Sequence, residues 1–60
     1  MQNNLPKDPV MLLSFVNTQL RDFYGDLEEF CTVFDVDINS IVGSLRKIDY
    51  VYNPEKNQFI

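Results

Sequence analysis

The chain has 60 residues, a hydrophobic fraction of 45% and a formal net charge of −4. A chain of this length forms one domain at most and buries only about 60% of its unfolded surface, so each large apolar side chain matters for stability. The acidic balance disfavours a polyanionic partner unless the five Lys and Arg residues cluster, and a single cysteine excludes an intramolecular disulfide.

Residues 1–7 are predicted to be a polar lead-in, and residues 8–60 a single domain. No apolar run approaches the roughly 18 residues that a bilayer crossing needs. The first four residues include no Lys or Arg ahead of the first apolar run, unlike the start of a signal peptide. We therefore expect a cytoplasmic protein with no membrane partner.

The first predicted helix runs from Pro9 to about Tyr24. Asp8 suits its N-cap, where a carboxylate accepts from free backbone N–H groups, and Pro9 suits the first helical position. Gly25 is predicted to end the helix, because glycine adopts the left-handed conformation at C′ without strain. One face is apolar at helical spacing and consists of Leu12, Val16, Leu20 and Phe23.

A second predicted helix begins at Asp26, since Asp26 and Glu29 have the spacing of a capping box. This helix is expected to end near Phe34. A turn at Asp35 and Val36 then leads to the N-cap of a third helix, Asp37. The third helix carries an apolar stripe at helical spacing, formed by Ile38, Ile41, Val42, Leu45 and Ile48.

The residue pattern changes from a helical to an alternating period after Ile48. Residues 53–57 have turn chemistry, and residues 58–60 are expected to pair back as a second strand. An isolated hairpin is unstable in water, so we expect it to pack on the helices. The predicted fold class is mainly α (α+β): a three-helix, helix-turn-helix-like bundle closed by a C-terminal β-hairpin.

Three aromatic residues are predicted to hold this hairpin on the core. Tyr50 and Tyr52 alternate along one strand and should project from the same face, with Phe59 as a cross-strand neighbour. Leu45 and Ile48, at the end of the third helix, are expected to receive these rings. The hairpin is therefore predicted to be a structural element and not a mobile wing.

The segment from Leu27 to Leu45 has the spacing of a helix-turn-helix. Counting from Leu27, Cys31 is the small residue where the two helices approach closely, and Asp35 takes a position where a positive φ is usual. This spacing, with the hairpin in the place of a wing, suggests a winged helix-turn-helix nucleic-acid-binding protein as the alternative function. Several acidic residues crowd the same unit and would repel phosphates, so nucleic acid is not the preferred partner. The candidate contacts of this alternative are Asn39, Ser40, Ser44, Arg46, Lys47 and Lys56.

The sequence predicts no catalytic residue, no cofactor site and no metal site. The chain has no histidine, the commonest general base and transition-metal ligand. Without a histidine partner, Cys31 is interpreted as a small buried hydrophobe. Residues 35–39 copy the first half of a calcium loop, but Ser40 and Arg46 stand where Gly and Glu are required. We interpret that string as a turn followed by an N-cap.

The five Phe and three Tyr residues leave two interpretations open. They form either a small core built from large side chains or an exposed aromatic patch for a partner. Asn17 and Thr18 also have two interpretations. We favour the first, in which their side chains bond the hairpin or the loop after the first helix; in the second they form part of a contact surface. We expect a small non-enzymatic protein-interaction or self-associating module, whose partner is an unknown protein or a second copy.

Three stretches carry a family resemblance: LPKDPVMLLSFVNT at residues 5–18, LEEFCTVFDVD at residues 27–37 and YVYNPEKNQF at residues 50–59. Together they resemble the start, middle and close of a family of short bacterial proteins, domain of unknown function 4250. That family has no assigned activity, substrate or catalytic residue. The resemblance therefore implies no functional residue, and it implies a stand-alone protein that is not a fragment of an enzyme.

Overall fold

Three helices are followed by a two-stranded antiparallel hairpin. The computed structural model describes residues 5–60, so the first four residues of the predicted lead-in lie outside it. The elements are α1 (Pro9–Asp22), α2 (Leu27–Phe34), α3 (Ile38–Arg46), β1 (Tyr52–Asn53) and β2 (Gln58–Phe59). This order confirms the predicted fold class of three helices closed by a C-terminal hairpin.

Each helix is preceded by an aspartate whose carboxylate accepts a hydrogen bond from a first-turn N–H group. The three N-caps are Asp8, Asp26 and Asp37, with bonds of 3.2, 2.8 and 3.1 Å. Each carboxylate satisfies a donor that has no partner inside the helix. Glu29 departs from a standard capping box, because its Oε1 accepts from the Gly25 N–H at 3.0 Å and not from that of Asp26.

The end of α1 differs from the prediction. The helix ends at Asp22, before Tyr24, and Gly25 does not have a positive φ. The physical reason lies in the hairpin, where the side-chain amide of Asn57 donates to the Leu20 and Tyr24 carbonyls at 3.0 and 2.9 Å. Because a distant side chain satisfies carbonyl groups at this helix end, a left-handed glycine is not needed.

All three helices and β2 contribute side chains to one core. Cys31 is buried within it, which confirms its interpretation as a small hydrophobe. Leu5, from the predicted polar lead-in, also packs against this core. The buried residues are Leu12, Val16, Leu20, Leu27, Phe30, Cys31, Ile41, Leu45 and Phe59.

Most aromatic rings belong to the interior and not to a surface patch. Four rings from α1, α2 and the loop between them contact one another, with centroid separations from 4.6 to 6.3 Å and mainly edge-to-face geometry. These rings belong to Phe15, Tyr24, Phe30 and Phe34. Phe23, predicted on the apolar face of the first helix, is 69% exposed because α1 ends before it.

The connection between α2 and α3 contains one residue in the left-handed conformation. Asp35 has φ 58° and ψ 49°, at the position where the helix-turn-helix spacing requires a positive φ. Asp37 then caps α3. The calcium-loop-like string is therefore a turn followed by an N-cap, which confirms the interpretation made from its missing ligands.

The two strands place Tyr52 opposite Phe59, with ring centroids 5.4 Å apart. This confirms the predicted cross-strand aromatic pair, and the Phe59 side chain is fully buried. The expectation that Tyr50 shares this role is wrong, since Tyr50 lies outside β1 and is exposed. Its N–H donates to the Leu45 carbonyl at 3.0 Å, so it still belongs to the turn that follows α3.

Asp49 lies in that turn with a φ of 66°. Its side chain is exposed, and its N–H donates to the Arg46 carbonyl at 2.9 Å. Glycine adopts this conformation without the steric cost of a Cβ atom, although its entropy in the unfolded chain offsets part of the gain. We expect Asp49→Gly to raise the free energy of unfolding by up to about 1 kcal/mol and Asp49→Ala to lower it. Urea denaturation measures both, and a less stable glycine variant would contradict this expectation.

Candidate functional site

The side chain of Asn17 holds the hairpin against α1. Its Nδ2 donates to the Phe59 carbonyl at 3.1 Å, and its Oδ1 accepts from the Phe59 N–H at 2.8 Å. The backbones of Val51 and Ile60 bond each other, and in an antiparallel ladder the next residue then directs its N–H and C=O away from the partner strand. Asn17 thus occupies the place of a third strand beside β2, which confirms the prediction that it bonds the hairpin.

Asn57 makes the second attachment. Besides donating to the end of α1, it accepts from the Tyr52 hydroxyl through Oδ1 at 2.6 Å. The same hydroxyl accepts from the Leu27 N–H at 3.3 Å. The hairpin is therefore bonded to α1 and to the start of α2, in addition to the predicted packing of its rings on the end of α3. These bonds support the prediction that the hairpin is structural.

A groove lies between α1 and the hairpin turn, beside these two asparagines. Its volume is about 500 Å³. Its lining combines two cationic side chains with hydroxyl and amide groups, and it contains no carboxylate among the residues that the structure describes. We call it the polar groove, and its lining residues are Ser14, Asn17, Thr18, Leu20, Arg21, Lys56, Asn57 and Gln58.

One cation of the polar groove has a carboxylate neighbour. Nε and Nη2 of Arg21 donate to the two carboxylate oxygens of Asp22 at 2.8 and 3.0 Å. These hydrogen bonds raise the pKa of Arg21 and lower the pKa of Asp22. Because both side chains are exposed to water, the pair contributes little to stability.

A second groove, of about 440 Å³, lies against the hairpin and shares no lining residue with the polar groove. Its lining residues are Val51, Tyr52, Asn53, Pro54, Glu55 and Ile60. Val51 and Ile60 are 52% and 48% exposed, and their backbones bond each other at 3.0 and 2.9 Å. We call Val51, Pro54 and Ile60 the apolar hairpin face.

A protein-family model described as "Domain of unknown function (DUF4250)" matches residues 6–59. The chain belongs to this family. No curated protein and no solved structure matches it. In this DUF4250 domain, the match includes the whole polar groove and, apart from Ile60, the whole apolar hairpin face.

The structure of the DUF4250 domain does not bring all the predicted nucleic-acid contacts together. Four of them lie on α3 and Lys47 is its C-cap, whereas Lys56 lies in the polar groove beside α1. Ser44 is half-buried, and the other five are exposed. The residues on α3 are Asn39, Ser40, Ser44 and Arg46.

The acids of α2 line a third groove, of about 390 Å³. Its carboxylates belong to Asp26, Glu28 and Glu29, of which the first caps α2 and the last binds the Gly25 N–H. Between residues 5 and 60, no three Cys, Asp or Glu side chains form a group that could hold a metal ion.

Two further observations concern the helices of the DUF4250 domain. Burial raises the pKa of the Cys31 thiol, and repulsion by the Asp37 carboxylate adds to this effect. The thiolate is the reactive form of cysteine, so this thiol is a poor nucleophile at neutral pH.

Among the helices described, the longest has 14 residues, and none combines the length and the apolar character that a membrane crossing requires.

Proposed function

We propose that this DUF4250 domain is a non-enzymatic cytoplasmic module that binds another protein, or a second copy of itself, through the apolar hairpin face. This proposal rests on one observation. Val51 and Ile60 are hydrogen-bonded to each other across the hairpin, and the side chains of both are exposed. Single exposed hydrophobic residues are ordinary, but a contiguous apolar surface is typical of an interface.

The size of the domain supports this assignment. A domain of this length has little apolar surface to spare, because it buries only about 60% of what its unfolded chain exposes. The Phe59 side chain of the same hairpin is fully buried, whereas Val51 and Ile60 face water. Covering these two side chains with a partner would remove apolar area from water, which favours association.

The chemistry of the side chains supports a non-enzymatic role. The chain has no histidine to act as a general base. The carboxylates of Asp8, Asp26 and Asp37 accept from helix N–H groups, and Asp22 is paired with Arg21. The buried thiol of Cys31 is also typical of a protein from a reducing compartment, which agrees with a cytoplasmic module.

Sedimentation at micromolar concentration, together with affinity capture, tests this proposal. We expect wild-type protein to self-associate or to retain a partner, and Val51→Glu to abolish that association because it places a charge on the apolar hairpin face. Val10→Glu is the matched control, since it introduces the same charge at a residue that is 61% exposed but outside the hairpin. A wild-type monomer that retains no partner, or equal effects of both variants, would contradict the proposal.

A nucleic-acid-binding role is the second candidate. Asp35 has the left-handed conformation that a helix-turn-helix needs, and Arg46 and Lys47 are exposed at the end of α3. The acids of α2 oppose it, because they line a surface groove in the same unit. Chemical-shift changes confined to α3 on addition of a short oligonucleotide at low salt would favour this role over protein binding.

A further inference from the structure

We propose that the polar groove binds a small anion that carries a phosphate group. This inference is independent of the apolar hairpin face, because the two surfaces share no residue. The volume of the groove, about 500 Å³, is in the range of small-molecule sites. Its lining includes several hydrogen-bonding side chains, which favour a ligand with polar groups.

The distribution of charge favours an anion. The chain carries nine Asp and Glu residues against five Lys and Arg residues. The polar groove nevertheless contains two of those cations, Arg21 and Lys56. Among the described residues, no Asp or Glu lines it. Glu55, the neighbour of Lys56 in the turn, lines the second groove, beside the apolar hairpin face. Lys56 has no ion-pair partner among residues 5–60, so its charge is available to a ligand.

The groove also supplies neutral donors. Ser14, Thr18 and Arg21 follow one another at i, i+4 and i+7, a spacing that places residues on one side of a helix. Phosphate oxygens accept from hydroxyl groups, from an ammonium group and from the guanidinium nitrogen that Asp22 does not engage. The set of donors is therefore chemically matched to a tetrahedral anion.

The two asparagines of the groove fix its walls. Asn17 and Asn57 use their amide groups to bond β2 and the end of α1, so they position the hairpin turn and are not themselves ligands. Because Lys56 precedes Asn57, its backbone is held next to α1 before any ligand arrives. A site with fixed walls loses less conformational entropy on binding than one that must be assembled.

Titration of the ¹⁵N-labelled protein with inorganic phosphate, at an ionic strength held constant with sodium chloride, tests the proposal. We expect saturable amide shifts in residues 14–21 and 56–58. Lys56→Gln should weaken binding by about tenfold, the effect of losing one charge-assisted hydrogen bond. Lys47→Gln is the matched control, because it removes the same charge from the end of α3, and it should leave the affinity within about twofold of wild type.

A second variant and two further ligands complete the test. Ser14 is exposed on α1, so Ser14→Ala should fold normally and should also weaken phosphate binding. Glycerol phosphate should bind at least as tightly as inorganic phosphate if the ligand is a small phosphate ester. The absence of saturable shifts, or equal affinities of Lys56→Gln and Lys47→Gln, would overturn the proposal. A short oligonucleotide that binds more tightly and also shifts α3 would overturn it in favour of nucleic acid.

Discussion

A chain truncated after Asn57 is expected to lose its cooperative thermal transition and most of its helical circular dichroism. The truncation removes Phe59, whose side chain is fully buried in the core shared with the three helices. Removing a buried Phe side chain costs about 3–5 kcal/mol, which equals the whole stability that a core of this size supplies. The truncation also leaves the side-chain amide of Asn17 without its two backbone partners.

Truncation after Phe59 is the matched control for this experiment. It removes only Ile60, which is half exposed and makes two backbone hydrogen bonds with Val51. We expect that chain to remain folded, with a free energy of unfolding lower by about 1–2 kcal/mol. If the shorter chain instead keeps its helicity and a transition near that of the full chain, the hairpin does not stabilise the helices and this account is wrong.

The second large effect is expected from Asn17→Ala, which should lower the free energy of unfolding by about 2–4 kcal/mol. The variant loses both bonds to Phe59 and leaves the N–H and C=O groups of that residue without a partner in a partly buried environment. Unpaired groups of this kind cost more than the net value of the bonds they formed. Urea denaturation followed by circular dichroism measures the change.

Two variants distinguish this effect from a general loss of helix stability. Thr18→Ala changes the next residue of α1, which is exposed, and should alter stability by no more than about 0.5 kcal/mol. Asn17→Asp keeps an acceptor for the Phe59 N–H but presents a carboxylate to the Phe59 carbonyl. That repulsion raises the pKa of the new carboxyl in the folded state, so the variant should gain stability relative to wild type as the pH falls. Equal losses in Asn17→Ala and Thr18→Ala would contradict the assigned role.

The starts of the helices were predictable because they depend on local chemistry. Each of Asp8, Asp26 and Asp37 bonds an N–H within its own first helical turn, so the signal lies in a few consecutive residues. The end of α1 was not predictable in this way. It depends on Asn57, which is 37 residues away in the chain from Leu20, whose carbonyl it binds.

The polar groove was not predictable either, because its residues are far apart in the chain. The polar groove combines Ser14 and Arg21 of α1 with Lys56 of the hairpin turn, and no sequence spacing relates these elements. The apolar hairpin face had a local signal, because Val51 alternates with Tyr52 and a period of two places neighbours on opposite faces. The aromatic residues left a core and a surface patch equally open, whereas the exposed face is aliphatic and most of the rings are in the core.

The position of Asn17 also affects how this sheet meets other chains. An open sheet edge offers unpaired N–H and C=O groups to any extended chain, and stacking on both edges is how cross-β fibres grow. On the β2 side the Phe59 backbone groups are already bonded by the amide of Asn17, so a further strand would have to displace a side chain. On the β1 side Pro54 follows the strand and has no N–H to donate. Because such growth needs both edges of the sheet, the bonds from Asn17 at the β2 edge are enough to oppose the open-ended addition of strands.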